Sequence, residues 1–160
     1  VALYQNHVLF QRDEDEEARL WFLPGGRGEL LESSNETLLR EMYEELGVRV
    51  YIERLLWIAE NFFVYRGRAG HELAFIFLMS LPPEPSLHTL DKVFVRHDER
   101  QHKLLFEWVP LDQLADKVIY PSFLKQTLLS LPTYTEHIIH TDAESAAALA
   151  AMHRAREEAL

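Results

Sequence analysis

Glu41, Glu44 and Glu45 stand at i, i+3 and i+4, the spacing that sets side chains on one face of an α-helix. At about 100° per residue they fall within roughly 100° of one another, so three carboxylates project as one cluster. Glu32 lies upstream, near the start of the same helix, and Gly25-Gly26 lets the incoming backbone approach closely and present a carbonyl oxygen. Carboxylate and carbonyl oxygens are hard ligands, suited to Mg²⁺ or Mn²⁺. Mg²⁺ keeps several waters and is commonly shared with substrate phosphates, so such a cluster is half of a site whose other half is a phosphate-bearing substrate. A metal held there would acidify its water and clamp phosphoryl oxygens, and a nearby carboxylate could take the water's proton. Taken alone, the three glutamates also describe an ordinary solvated helix face, because like-charge pairs at this spacing cost only about 0.2–0.5 kcal/mol each.

The helix that must carry them is marked at both ends. Ser33-x-x-Glu36 is a capping box, Leu38, Leu39, Met42 and Leu46 recur at helical spacing, and Gly47 stands where a left-handed C-terminal cap would. The spacing predicts a helix over Asn35–Leu46. Before it, Val1–Tyr4 and His7–Gln11 read as strands around a Gln5-Asn6 turn, Asp13–Glu17 as an acidic loop, and Trp21–Leu23 as a strand stopped by Pro24-Gly25-Gly26. After it, strands are expected at Val48–Ile52, Leu55–Tyr65 and His71–Leu81, the last two joined by the loop Arg66–Gly70. Leu73–Met79 is apolar at every position, which predicts a strand covered on both faces. Val93–Val95 and Leu104–Val109 read as a strand pair, Pro110-Leu111-Asp112 as the start of a short helix and Pro121–Leu131 as a longer one. His137–His140 reads as a short strand, and Asp142 as the cap of a final Ala-rich helix. The mixed order predicts one α/β or α+β domain over residues 1–140, with 141–160 its helical tail.

The wider spacing is more specific than the cluster. Gly26, five residues, Glu32, seven residues, then Arg40-Glu41-Met42-Tyr43-Glu44-Glu45-Leu46-Gly47-Val48 reproduces the Nudix box, Gly-x5-Glu-x7-Arg-Glu-U-x-Glu-Glu-x-Gly-U, with U a bulky apolar residue. Met42 is a less usual U, and every charged position is intact. The chain resembles the Nudix hydrolase family. That resemblance implies an α/β/α sandwich with a mixed central sheet and the box as loop–helix–loop. It also implies Mg²⁺- or Mn²⁺-dependent hydrolysis of a pyrophosphate bond in a nucleoside diphosphate linked to another group. By position in the motif it makes Glu44 and Glu45 the principal metal ligands and Glu41 a ligand or the base. The Gly25 carbonyl would join the shell, Arg40 would orient a box glutamate, and Glu32 would support the site.

Many members of that family use one more acid outside the box. Glu72 opens the buried strand, where an acid needs a partner unless the strand end reaches solvent. Asp98 and Glu99 precede the Leu104 strand and read more simply as an exposed charged loop. Tyr65, 17 residues past the box, resembles the pattern of dinucleoside polyphosphate hydrolases, and is also an ordinary strand tyrosine. The proline of the ADP-ribose pyrophosphatase pattern is absent from that region. Glu60–Phe63 and His71-Glu72 flank one hairpin and are expected to line the pocket; Phe62 or Phe63 could stack on a base or belong to the core. Arg66 and Arg68 could meet phosphates or be solvated loop charge. His137-x-x-His140 has metal-like spacing but no third soft partner, and reads as a strand end.

Composition narrows the classes. The chain has 160 residues, 48% hydrophobic and 26% charged, which is globular. Lys plus Arg number 16 against 26 Asp plus Glu, for a net charge of -10. Such a surface repels phosphate backbones and anionic lipid heads, which argues against a nucleic-acid polymer or a membrane surface as partner. Cysteine is absent, which excludes disulfides, thiolate metal sites and cysteine nucleophiles and fits a reducing, cytoplasmic setting. No apolar run approaches the roughly 20 residues of a membrane span. The expected partner is a small nucleoside diphosphate derivative: a dinucleoside polyphosphate, a nucleotide sugar or a nucleoside triphosphate. A second copy of the chain could pack on the Ala-rich tail as a homodimer. Two other classes fit the same fold, a non-catalytic nucleotide sensor and an isomerase, and the intact glutamates argue against both.

Overall fold

Gln5 and Asn6 both take positive φ, 43° and 64°, the backbone of a two-residue hairpin turn whose twist matches its strands. They join β1 (Leu3–Tyr4) to β2 (His7–Asp13). The structure is a computed structural model that describes residues 1–13, 20–65, 67–97 and 102–157. Most of the expected acidic loop, Glu14–Glu17, lies outside these residues, as do Arg66, Asp98 and Glu99.

After β3 (Leu20–Phe22) comes α1 (Ser34–Leu46), within one residue of the expected helix. Its first turn is closed reciprocally. The Glu36 amide donates to Ser33 Oγ at 3.3 Å and the Ser33 amide donates to Glu36 Oε2 at 2.8 Å. Gly47 ends it at φ 77°, with its amide donating to the Met42 and Tyr43 carbonyls. Ser33→Ala removes one half of this box and is expected to cost about 1 kcal/mol of unfolding free energy, measurable as a lower urea midpoint at unchanged slope.

Two mixed sheets follow from the remaining strands. The larger has the order β6 (Phe94–His97), β7 (Lys103–Pro110), β2, β3, β8 (Val118–Tyr120), with β1 on β2. Its β3–β8 pair is parallel and the others antiparallel. The smaller has the order β5 (Arg68–Ser80), β4 (Tyr51–Tyr65), β9 (Glu136–Thr141), with β9 parallel to β4. α1 covers one face of the larger sheet, where Met42 and Leu46 join Leu9, Phe106 and Trp108. The other face packs on the smaller sheet through Phe10, Trp21 and Val109 against Leu56, Trp57 and Ile76. This is the mixed α/β layering that the box resemblance implies.

Four expectations change. Val48–Ile52 and Leu55–Tyr65 are not separate strands; register shifts between Ile52 and Arg54 and between Leu55 and Trp57 absorb the break, as β-bulges do. Val48 and Val50 instead pack in the core beneath α1. The apolar run on β5 is not covered on both faces. Leu73 is 56% and Phe75 43% exposed, because among the described residues no layer covers the outer face of the smaller sheet there. The helix expected at Pro121–Leu131 shrinks to α2 (Leu124–Thr127). The Leu124, Lys125 and Gln126 amides reach back only three residues, so the segment enters as tight turns without a side-chain cap. Asp142 precedes α3 (Ala143–Glu157), but its carboxylate does not cap that helix. Its Oδ1 accepts from the Ser122 amide at 3.1 Å and lies 3.1 Å from His140 Nε2, which ties β9 to the turn before α2. Among the described residues no helix is long and apolar enough to cross a membrane.

Candidate active site

Arg40 projects from the middle of α1 into the loop that precedes the helix, and its five N–H groups all find acceptors. Nε and one terminal nitrogen grip the two Glu32 oxygens at 2.8 and 2.9 Å. The second terminal nitrogen donates to Glu41 Oε1 at 3.0 Å and to Glu44 Oε2 at 2.9 Å. The last N–H reaches the Arg27 carbonyl at 2.9 Å. A planar fork suits this task because its donor directions are rigid. One guanidinium therefore fastens the Gly-rich loop to the helix and draws Glu41 and Glu44 to a single nitrogen.

Glu32 is held equally firmly. Besides Arg40, it accepts from the Glu29 amide and from Thr37 Oγ1, both at 2.9 Å. The Arg40 hydrogen bonds, then the Glu29 amide, pull its carboxyl down to about 2. Arg40 is pushed further above its ordinary range, chiefly by Glu32. A carboxyl depressed in the fold adds stability above its unfolded value and loses it as pH falls through the folded one. The stability gap between wild type and Glu32→Gln should then stay constant from neutral pH down to about 5 and close between pH 4.5 and about 2, as read by urea unfolding.

Gly26 leaves room for Glu41. A Cβ built on Gly26 would stand 2.2 Å from the Glu41 carboxyl carbon, so this carboxylate lies directly against the loop backbone. Gly25 takes φ 142°, a conformation open to glycine. Glu45 is half-buried one residue beyond Glu44. Glu41 and Glu44 each keep a second carboxylate oxygen that no described hydrogen bond uses. Among the described residues no three acidic or imidazole groups stand close enough together to hold a cation by themselves. Hard oxygen donors that are not closed into a cage suit Mg²⁺ or Mn²⁺, which fill their remaining positions with water and substrate phosphate. Glu41, Glu44, Glu45 and the Gly25 carbonyl are the groups that the box resemblance would assign to such an ion.

Beside the box lies a cleft of about 950 Å³, lined by Gly25, Gly26 and Glu32 on one side and by Phe63, Glu72 and Ala74 on the other. Glu72 sits at the exposed end of β5 and accepts from Asn61 Nδ2 at 2.8 Å, so this acid has both solvent and a partner. Phe63 crosses the hairpin to cover Gly70, where a Cβ would stand 2.4 Å from its ring. Phe62 alternates to the outer face of the sheet and stacks on His71 at 4.2 Å. Tyr65 ends β4 and is not among the cleft residues. His137 meets Glu60 at 2.9 Å on the outer face, and His140 meets Asp142 and Ser122; the two do not converge.

Gln11, Arg12, Phe22 and Tyr120 also line the cleft, and no local motif marks them. Arg12 stands over the Trp21 ring at 5.4 Å and brings a cation into the cleft of an acidic protein. Only strand order puts β2, β3 and β8 at the same wall, so sequence reading had no signal for them beyond alternation.

Known proteins match at three levels. The chain is 32% identical over 102 residues to a protein of Mycobacterium tuberculosis (strain CDC 1551 / Oshkosh) that carries the name MutT4; this covers 63% of the chain, which spans 37% of that protein's length. Its fold is similar to the crystal structure of an ADP-ribose pyrophosphatase from Streptococcus suis 89-1591, with a TM-score of 0.53 at 16% identity over 87% of this chain and 93% of that one. It is similar also to the crystal structure of a UDP-X diphosphatase, with a TM-score of 0.57 at 21% identity over 86% of this chain and 63% of that one. At these identities the two structures speak to the fold alone. The NUDIX domain model matches residues 1–127, which include the box, α1 and every strand of the larger sheet, and the chain therefore belongs to the NUDIX domain family.

Proposed function

We propose that the chain is a Mg²⁺- or Mn²⁺-dependent pyrophosphohydrolase that cleaves the phosphoanhydride of a nucleoside diphosphate joined to a second group. The observation that carries this is the single guanidinium of Arg40, which binds Glu32, Glu41, Glu44 and the Arg27 carbonyl together. All the charged box positions are present in the sequence, and Glu32 with Gly25 and Gly26 lines a cleft large enough for a nucleotide derivative. Names of the similar structures, a pyrophosphatase and a diphosphatase, agree with that reaction class.

When bound, the divalent ion would acidify water and neutralise phosphoryl oxygens. The residues of this chain divide the remaining work. Glu44 and Glu45 offer carboxylate oxygens to the ion, and Glu41, pressed against Gly26, either joins them or takes the proton of the attacking water. Arg40 holds Glu41 and Glu44 in position, and Glu32 keeps Arg40 in place. Arg12 faces the phosphates from the cleft wall, with Phe63 and Glu72 across from it. Water adds to one phosphorus, the bridging P–O bond breaks, and a nucleoside monophosphate leaves with the second phosphorylated product.

The test is a panel of dinucleoside polyphosphates, nucleotide sugars, ADP-ribose and nucleoside triphosphates, each incubated with the protein and Mg²⁺ or Mn²⁺. Monophosphate release that disappears when the ion is chelated supports the proposal. A ligand that raises the melting temperature without any turnover would favour the sensor instead.

A further inference from the structure

The two edges of the smaller sheet are treated differently. At the β5 edge the chain covers itself towards the C-terminal end of the strand: the Met79 amide donates to the Val1 carbonyl at 2.9 Å, and Ala2 lies beside Met79 as a parallel bridge. β9 forms the opposite edge. Its residues pair with β4 in unbroken parallel register, from Trp57 with Glu136 to Phe62 with Thr141. α3 then leaves β9 and packs on β4, where the Val64 amide donates to Ser145 Oγ at 2.9 Å. Among the described hydrogen bonds none joins the β9 backbone to an element other than β4. A strand sends half of its N–H and C=O groups to each side, so β9 presents a row of backbone donors and acceptors away from the sheet.

Natural edges are blunted by proline, by lysine or by a bulge. The sequence of β9, Glu-His-Ile-Ile-His-Thr, has none of these. None of its side chains is buried, and Ile139 is 71% exposed. Ile139 lies on the outer face of the sheet, in one row with Glu60 and Leu73. His137 Nε2 stands 2.9 Å from Glu60 Oε1 on that face, so the polar groups there engage each other and the isoleucine is left at the rim.

We propose that β9 is the seam of a homodimer, in which β9 of a second copy adds antiparallel to it about a two-fold axis and joins the two smaller sheets into one. A two-fold sets the strand against itself, so the fit is a matter of self-complementarity. Directly opposed residues share a face, which places the axis at a residue of β9. Centred on Ile139, it would set Glu136 opposite Asp142, a carboxylate against a carboxylate. Centred on Ile138, it sets Glu136 opposite His140, an acceptor facing an imidazole, and His137 opposite Ile139. The two Ile139 side chains then stand on the diagonal across the seam, about 7–8 Å apart, and cover one another on the outer face. Charge selects this second register. A second copy is the occupant because the strand's own sequence answers both its carboxylate and its exposed isoleucine. The cover on the β5 edge favours closure at two copies. The seam is β9 and not the Ala-rich tail, whose first turn is already engaged with β4.

Sedimentation velocity from about 1 to about 100 µM should show a dimer, with a melting temperature that rises with concentration. Ile139→Lys puts a charge on both sides of the seam at a position the single subunit exposes. It should weaken association at least about tenfold and leave the melting temperature of the dilute protein in place. Leu73→Lys puts the same charge on the same face, on β5 instead of β9, and should leave association unchanged. The chain has no cysteine, so Ile139→Cys alone should be joined into a covalent dimer by a bismaleimide spanning about 8 Å, and Leu73→Cys should not. A monomer throughout, or a dimer that survives Ile139→Lys, overturns the proposal. Loss of the dimer in Leu73→Lys also overturns it, because the open sheet face and not the edge would then be the interface. If Ile139→Lys fails to fold, the cross-link decides: a covalent dimer with Ile139→Cys supports the seam, and its absence overturns it.

Discussion

Replacing Glu44 with glutamine is expected to lower kcat by about a thousandfold while leaving the fold intact. The amide keeps the volume and a single neutral acceptor, but it no longer offers a charged oxygen to a divalent ion. Little structure depends on the residue. Glu44 lies on the exposed face of α1 and contributes one i, i+4 contact to Arg40 at 2.9 Å, and such surface pairs stabilise by about 0.2–1 kcal/mol. Loss of activity and retention of stability should therefore separate. Steady-state kinetics on the best panel substrate, beside a urea melt of the same preparation, measures both. A variant within tenfold of wild type would remove Glu44 from the ion-binding set. A variant that is equally inactive but unfolded at moderate urea would make it a structural residue.

Arg40→Lys is the second large effect, with an expected loss of about 10–100-fold in apparent Mg²⁺ affinity, in kcat, or in both. Charge is conserved, so the change isolates geometry. The guanidinium spans Glu32 on one edge, Glu41 and Glu44 at one nitrogen and the Arg27 carbonyl at the other. An ammonium is a compact point charge with three donors and cannot meet four groups in that plane. Glu41 and Glu44 would lose their common tether, and the loop carrying Gly25 and Gly26 would lose its anchor on the helix. Much of the lost rate should return at high Mg²⁺ if the damage is to ion binding. If the lysine variant matches wild type at limiting Mg²⁺, Arg40 has no positioning role.

The two substitutions differ in what the sequence already says about them. Glu44 is local: its place follows from helical spacing within α1, which the Ser33–Glu36 box and Gly47 delimit within a single stretch of chain. The same holds for the turn at Gln5-Asn6, where short-range sterics decide the backbone. Arg40 is partly local. Its motif position implies contact with a box glutamate, but the grip on Glu32 and on the Arg27 carbonyl depends on how the loop returns to the helix.

Elsewhere the residues alone were insufficient. The apolar run Leu73–Met79 predicts cover on both sides, yet Leu73 and Phe75 face outward, because apolarity records what a strand can bury and not which layers reach it. Val48 and Val50 are strand-like in type, but the core beneath α1 takes them instead. His137 and His140 are close in sequence and diverge in space, since strand alternation and the bend at Asp142 send them to different partners. Chemistry that sits on one helix or one turn could be read from the chain directly: the glutamate cluster, its cap, its glycines and the family they resemble. The cleft could not, because Gln11, Phe22, Phe63, Glu72 and Tyr120 are brought to it by long-range strand pairing. Which strands pair is decided by burial summed over the whole molecule, and no short stretch of sequence contains that sum.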